Sequence, residues 1–168
     1  GEEPFPLPNL NDAVYNLHGS LFFSTLDLTR GYYNVPMDED SIPLTAFSTS
    51  RSHWEFIRMP FGLCNAGATF QRLMNLVLRG FSWSQCICYI DDALILGSTF
   101  EEHYNNLHDV LTCLSQHGLK IKPQKCFLFR KTVKFLGYEV SKNGIMPDRK
   151  NIEGITNFPK PTTVKNVR

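Results

Sequence analysis

Residues 86–96 read CICYIDDALIL, two apolar runs that meet at the acid pair Asp91-Asp92. Flanks rich in aliphatic, β-branched and aromatic side chains predict strand, tight turn, strand, with the two acids at the turn. A two-residue hairpin turn demands positive φ and normally carries Gly or Asn. A carboxylate among apolar neighbours also costs desolvation energy unless something compensates it. A residue choice that works against its own local structure is the expected mark of a functional site. Cys86 and Cys88, two positions apart, fall on one face of the first strand.

Upstream, residues 21–28 (LFFSTLDL) read as a buried strand with Asp27 near its end. Residues 31–37 form a turn or short helical segment stopped by Pro36. Residues 45–47 and 54–58 are expected as two strands joined by polar residues 48–52. The spacing of Phe70, Leu73, Met74 and Val77 predicts a helix over 66–79, with Asn65 as N-cap and Gly80 as stop. Downstream of the hairpin, Thr99 and Glu102 make a capping box. That helix shows an apolar stripe of Phe100, Tyr104, Leu107, Leu111 and Leu114, and ends at Gly118. From Lys120 on, short apolar runs alternate with Lys and read as small strands. At the start, Pro4, Pro6 and Pro8 mark an extended lead-in before a short helix over 9–17 closed by Gly19. At the end, Phe158-Pro159-Lys160-Pro161 reads as a linker, so the domain is expected over 1–157 with a linker segment over 158–168.

The order strand, helix, hairpin, helix, strand is an α+β pattern, with helices packed on one face of an antiparallel sheet. It brings Asp27, 64 residues before Asp91, to the hairpin tip. Adjacent like charges become tolerable once divalent cations sit between them, and hard oxygen ligands select Mg²⁺ or Mn²⁺. Two such ions about 3.5–4 Å apart serve phosphoryl transfer. On the residues alone, a solvated turn and a two-metal site both remain open for Asp91-Asp92.

Hydrophobic residues are 42% and charged residues 20% of 168, values that fit one domain with a sizeable, Phe-rich core. No apolar run has the length of a membrane span, so no membrane partner is expected. The N-terminus is acidic and proline-rich, unlike a signal peptide. Cys64, Cys86, Cys88, Cys113 and Cys126 form no CxxC pair and find no nearby His, so reduced thiols of an intracellular protein are expected rather than a zinc site. Residues 1–117 hold 5 Lys/Arg and 13 Asp/Glu, a balance of −8; residues 118–168 hold 12 and 3, a balance of +9. Such a division suits a protein that gathers cations at one site and a polyanion at another, although a solvated basic surface accounts for it as well.

Four strings stand in order along the chain. They are Phe23-Ser24-Thr25-Leu26-Asp27-Leu28 followed by Gly31-Tyr32, Met59-Pro60-Phe61-Gly62-Leu63 through Ala68-Thr69-Phe70-Gln71, Tyr89-Ile90-Asp91-Asp92, and Phe135-Leu136-Gly137-Tyr138. Together they resemble the reverse transcriptases of long-terminal-repeat retrotransposons, the gypsy-like group above all, and more distantly those of retroviruses. The resemblance runs from Phe5-Pro6-Leu7-Pro8 to Pro161-Thr162-Thr163-Val164-Lys165. It implies a polymerase palm with partial fingers, its antiparallel sheet backed by helices in a ferredoxin-like (RRM-like) core, cut from a larger Pol polyprotein. The implied activity is RNA-directed DNA polymerisation, in which deoxynucleotides are added to a primer 3′-hydroxyl on an RNA or DNA template.

The resemblance also implies roles. Asp27, Asp91 and Asp92 would be the catalytic acids and hold two Mg²⁺, with Mn²⁺ as substitute. Lys125 falls in the block where a lysine protonates the leaving pyrophosphate; a phosphate contact or a solvated lysine are its other readings. Tyr32 would pack under the nucleotide sugar and exclude a 2′-hydroxyl, against the plainer reading of a core tyrosine. Phe61, Gly62 and Gln71 would line the nucleotide pocket, and Leu136, Gly137 and Tyr138 would grip the primer, where Gly permits close approach. Implied partners are the template-primer, deoxynucleoside triphosphates and the rest of the polyprotein (thumb and ribonuclease H). The implied location is the cytoplasm, in a virus-like particle, and the nucleus. Two departures stand out: Gly67 replaces a usual proline at the start of a helix, and Ala93 replaces a larger aliphatic residue. A palm that binds nucleic acid without catalysis is a second reading, carried by the basic C-terminal third. An RNA-templated RNA polymerase is a third, and Tyr32 argues against it.

Overall fold

The computed structural model describes Leu17 and residues 19–28 and 31–148. The expected lead-in, nearly all of the helix over 9–17 and the linker over 158–168 lie outside these residues. In chain order come β1 (Phe22–Asp27), β2 (Phe47–Ser48), β3 (His53–Trp54), α1 (Ala66–Val77), β4 (Cys86–Tyr89), β5 (Asp92–Gly97), α2 (Phe100–Gln116), β6 (Phe127–Arg130), β7 (Thr132–Phe135), β8 (Tyr138–Ser141) and β9 (Gly144–Pro147). The main sheet runs β4-β5-β1-β6, and every neighbouring pair in it is antiparallel. A second sheet is the meander β7-β8-β9, and β2-β3 is a separate short ribbon.

Alternation along β5 shows how the layers stack. Ala93 and Ile95 join Leu26, Phe70, Met74, Val110 and Leu114 in a core shared with both helices. Leu94 and Leu96 join Phe23, Ile87, Val133, Phe135 and Val140 in a second core under the meander. The helices therefore lie on one face, as the pattern predicts, while the other face is covered by the small sheet. A strand buried on both faces needs no polar residues, which is why 93–96 reads as an unbroken apolar run. Phe70 is fully buried in the helix-side core, and its replacement by Ala is expected to cost about 3–5 kcal/mol.

Several details differ from the sequence expectation. The strands expected over 45–47 and 54–58 shrink to the ribbon β2-β3, because residues 43–45 form a 3-10 turn instead. Helix α1 ends at Val77, short of Arg79, and the Asn65 side chain makes no capping hydrogen bond. The α2 cap is as expected on one side, the Thr99 hydroxyl accepting from the Glu102 N–H at 3.1 Å. The Glu102 carboxylate reaches back one residue further as well, accepting from the Ser98 N–H at 2.9 Å. At the other end Gly118 adopts φ +70 while the Leu119 N–H donates to the Leu114 carbonyl, a left-handed C-terminal cap.

The buried face of α2 is also rotated from the predicted stripe. Phe100 and Tyr104 are exposed, whereas His103, Asn106, Leu107, Val110 and Leu114 face inward. Polar residues are buried there because the sheet offers them partners. Asn106 Nδ2 donates to the Leu96 carbonyl at 2.9 Å, and His103 Nε2 lies 2.7 Å from Ser24 Oγ. The helix comes so close that a Cβ on Gly97 would sit 2.6 Å from the His103 Cα.

Candidate active site

The site starts at the hairpin joining β4 to β5. Tyr89 pairs with Asp92, so the two-residue turn is Ile90-Asp91, one position earlier than the expected Asp91-Asp92. Burial sets this register. A slip of one residue would turn the whole alternating set of β5 side chains to the wrong core. Positive φ then falls on Ile90, at 52°. A β-branched residue in that region stores roughly 1–3 kcal/mol and persists only when its surroundings over-determine it.

Gln71 supplies that constraint from α1. It is 1% exposed. Its Oε1 accepts from the Ile90 N–H at 2.6 Å, and its Nε2 donates to the Cys88 carbonyl at 3.2 Å and to Asn75 Oδ1 at 3.0 Å. Gln71, expected at the nucleotide pocket, is thus turned toward the hairpin. Its amide is spent on the hairpin backbone, and it acts on the site by holding the turn.

The three acids converge at the end of the central strands. Asp27, last in β1, stands opposite Asp92, first in β5. Just beyond, the Leu28 N–H donates to the Asp91 carbonyl at 2.8 Å. The Asp91 Oδ1 is buried with no hydrogen-bond partner among the described residues. Gly31 makes room for it, since a Cβ there would lie 2.7 Å from that oxygen and closer still to the Phe70 ring. Burial, then the neighbouring acids, push the Asp91 and Asp92 carboxyls above their usual range, and Lys125 opposes the rise in both. Lys125 Nζ stands 3.0 Å from Asp27 Oδ2, in an ion pair that raises the lysine above its ordinary value.

Hard carboxylate oxygens, crowding of like charge and an unpartnered buried oxygen fit a divalent-cation site. Among the described residues, no three metal-ligating side chains stand in a ready-made cluster.

Two cavities flank the acids. One, of about 750 Å³, is lined by Asp27, Asp91 and Tyr33 together with Lys120, Lys122 and Lys125. The second, of about 290 Å³, is lined by Asp27, Asp92, Lys125, Lys134 and Leu136. Asp27 and Lys125 line both, so their ion pair stands between them.

The remaining expected residues divide. Tyr32 is half-buried in the first cluster's margin, its ring 5.0 Å from Phe61 and 5.4 Å from Phe70. Burial, then Asp91, raises its hydroxyl pKa. Phe61 is 57% exposed and also packs on Tyr33, while Gly62 takes φ +93 beside it. Gly67 faces the same place: a Cβ there would meet the Tyr32 hydroxyl and Ile90 Cδ1 in ordinary contact at 3.8 Å, and α1 starts at Ala66 without the missing proline. Leu136 and Gly137 form the β7-β8 turn with φ 51 and 80, and Leu136 reaches the smaller cavity. Tyr138 begins β8 opposite Phe135 and Pro147. Sequence reasoning gave no role to Gly31 beyond its place in a motif, nor to Tyr33, Lys120 or Lys122. No spacing rule singles them out.

Comparison with known proteins shows what this chain is similar to. The family model described as reverse transcriptase (RNA-dependent DNA polymerase) matches residues 3–140. The retrovirus-related Pol polyprotein from transposon 297 of Drosophila melanogaster is 41% identical over 98% of this chain and 16% of that polyprotein. The corresponding polyprotein from transposon gypsy of the same organism is 35% identical over 98% of this chain and 16% of its own length. The enzymatic polyprotein of figwort mosaic virus (strain DxS) is 34% identical over 91% of the chain and 23% of its own length. The chain thus spans only 16% to 23% of these relatives. Among solved structures, foamy viral protease-reverse transcriptase in complex with RNA/DNA hybrid superposes with TM-score 0.85, at 26% identity, over 99% of this chain and 22% of that one. The dRH form of that protein with double-stranded DNA gives TM-score 0.88 at the same identity, over 99% of this chain and 29% of that one.

Proposed function

Since this chain belongs to the reverse transcriptase family, we propose that it carries the polymerising site of a retrotransposon Pol polyprotein, extending a primer with deoxynucleotides on an RNA or DNA template. The observation that carries the reading is the meeting of Asp27 and Asp92 on two paired strands beside the turn that holds Asp91, whose buried carboxylate oxygen has no partner among the described residues. Asp27 and Asp91, with Asp92 beside them, would hold Mg²⁺ or Mn²⁺. When bound, such ions stabilise the attacking and leaving oxygens of phosphoryl transfer.

The chain's own contribution is placement and field. Gln71 fixes the turn that presents Asp91, and Gly31 lets its carboxylate sit against the core. Tyr32, braced by Phe61 and Phe70, forms a wall for the nucleotide sugar. Lys120 and Lys122 put positive charge on the wall of the larger cavity that the acids also line, where a triphosphate would lie. Leu136 and Gly137 approach the smaller cavity on the Asp92 side, suited to a primer end. The acid triad also favours catalysis over binding alone, because a module that only binds a polyanion has no use for clustered carboxylates.

Primer extension on an RNA template with a DNA primer and Mg²⁺ or Mn²⁺ tests the reading, run on the chain and on the polyprotein that carries it. Incorporation is expected from the parent and not from the double variant Asp91→Asn, Asp92→Asn. Equal incorporation by that variant would overturn the assignment of the acids.

A further inference from the structure

Resting on that reading of the acids, we propose that Lys125 is the built-in counter-ion of the acid site, occupying Asp27 in the metal-free protein and competing with the divalent cation for it. The inference concerns regulation of the site and is separate from any part of Lys125 in proton transfer.

The delivery of the lysine is constructed. The Lys122 N–H donates to the Asp27 carbonyl at 2.8 Å, and Leu28 bridges to Ile121, so the segment is tied to the end of β1. Pro123 then opens a 3-10 turn over Pro123–Lys125, closed by the Lys125 N–H to the Lys122 carbonyl at 2.9 Å and the Cys126 N–H to the Pro123 carbonyl at 3.1 Å. Proline fixes φ at the first turn position, so the turn is stiff where it carries the lysine. The backbone of Asp27 thus anchors the segment whose ammonium meets the carboxylate of Asp27, at 3.0 Å.

The same ammonium lowers the charge burden on Asp91 and Asp92, so one cation serves all three acids. A divalent ion ligated at about 2.0–2.6 Å by Asp27 would face a second positive charge across the same carboxylate. The two cations therefore exclude each other at this oxygen. Lys125 already lines the larger cavity with Lys120 and Lys122; freed from Asp27, its charge adds to theirs there.

The test is Mn²⁺ titration followed by electron paramagnetic resonance, on the full chain without nucleotide or nucleic acid, for the parent, Lys125→Met, Lys125→Arg and Lys122→Met. Lys125→Met is expected to bind Mn²⁺ about two- to fivefold more tightly, the scale of a pair between partly exposed charges. Lys125→Arg keeps the positive charge and should stay within twofold of the parent, and Lys122→Met should shift affinity by less than Lys125→Met. Equal tightening in the two methionine variants would mean that only the general field matters, and would overturn the proposal. So would unchanged or weaker binding in Lys125→Met, or tightening in Lys125→Arg. Absence of Mn²⁺ binding in every form would instead remove the acid site as a metal site, and the counter-ion role with it.

Discussion

Replacing Gln71 with Met keeps the volume of the side chain but removes both bonds to the hairpin. The Ile90 N–H and the Cys88 carbonyl lose the partners at 2.6 and 3.2 Å. A buried polar group left unsatisfied costs roughly 1–3 kcal/mol. Both backbone residues are only half-buried, so water can reach them and the lower end applies, giving about 2 kcal/mol for the pair. The strain at Ile90 adds to the effect on geometry, because the turn loses the contact that holds φ at 52°. For a chain of this size, about 2 kcal/mol lowers the midpoint of thermal unfolding by roughly 4–8 °C. Calorimetry of the parent and Gln71→Met measures that shift directly. Mn²⁺ affinity reports whether the turn carrying Asp91 has relaxed, and it should fall together with Tm. A midpoint within 1 °C of the parent, with Mn²⁺ affinity unchanged, would refute the argument that this amide holds the turn.

Three other outcomes follow from the same geometry. Gly31→Ala places a Cβ against Phe70 and 2.7 Å from Asp91 Oδ1; overpacking of this kind costs about 1–3 kcal/mol, and denaturant unfolding should show it together with weakened Mn²⁺ binding. His103 is buried, and burial holds its pKa below the usual 6.5 against the opposing Leu96 carbonyl and Glu102; the unfolded chain therefore takes the proton first, and stability present above pH 6.5 is lost as the pH falls through the folded value. The raised Asp91 and Asp92 act with the opposite sign, gaining stability as pH falls, so the measurement is the difference in urea midpoints between the parent and His103→Gln, which should shrink below pH 6.5. Tyr32→Ala should admit ribonucleotides in primer extension that the parent rejects, and free use of ribonucleotides by the parent would remove the gate.

Much of the fold was legible because it is written in local alternation and periodicity. The strand ending at Asp27, the hairpin at 86–96 and the helices at Phe70 and at Thr99 each announce themselves within a dozen residues. Their order then places Asp27 beside the acid pair. The hidden features are those that depend on a partner distant in sequence. The face that α2 buries was misread because His103 and Asn106 look polar until Ser24 and the Leu96 carbonyl are set beside them. The partners of Gln71, expected at the nucleotide pocket, became visible only once the hairpin was laid over it.

The sequence by itself determined most of the elements and their α+β order, since burial patterns are properties of short stretches, and the desolvation cost of a carboxylate brought the acids forward as candidates. Tertiary structure alone decided the register that moves the turn to Ile90-Asp91 and the clamp that holds it there. It also decided that Lys125, 98 residues from Asp27 along the chain, is the cation that meets it. Each of these depends on how two distant backbones are brought together, and a register or an ion pair acquires its energy only once that approach has been made.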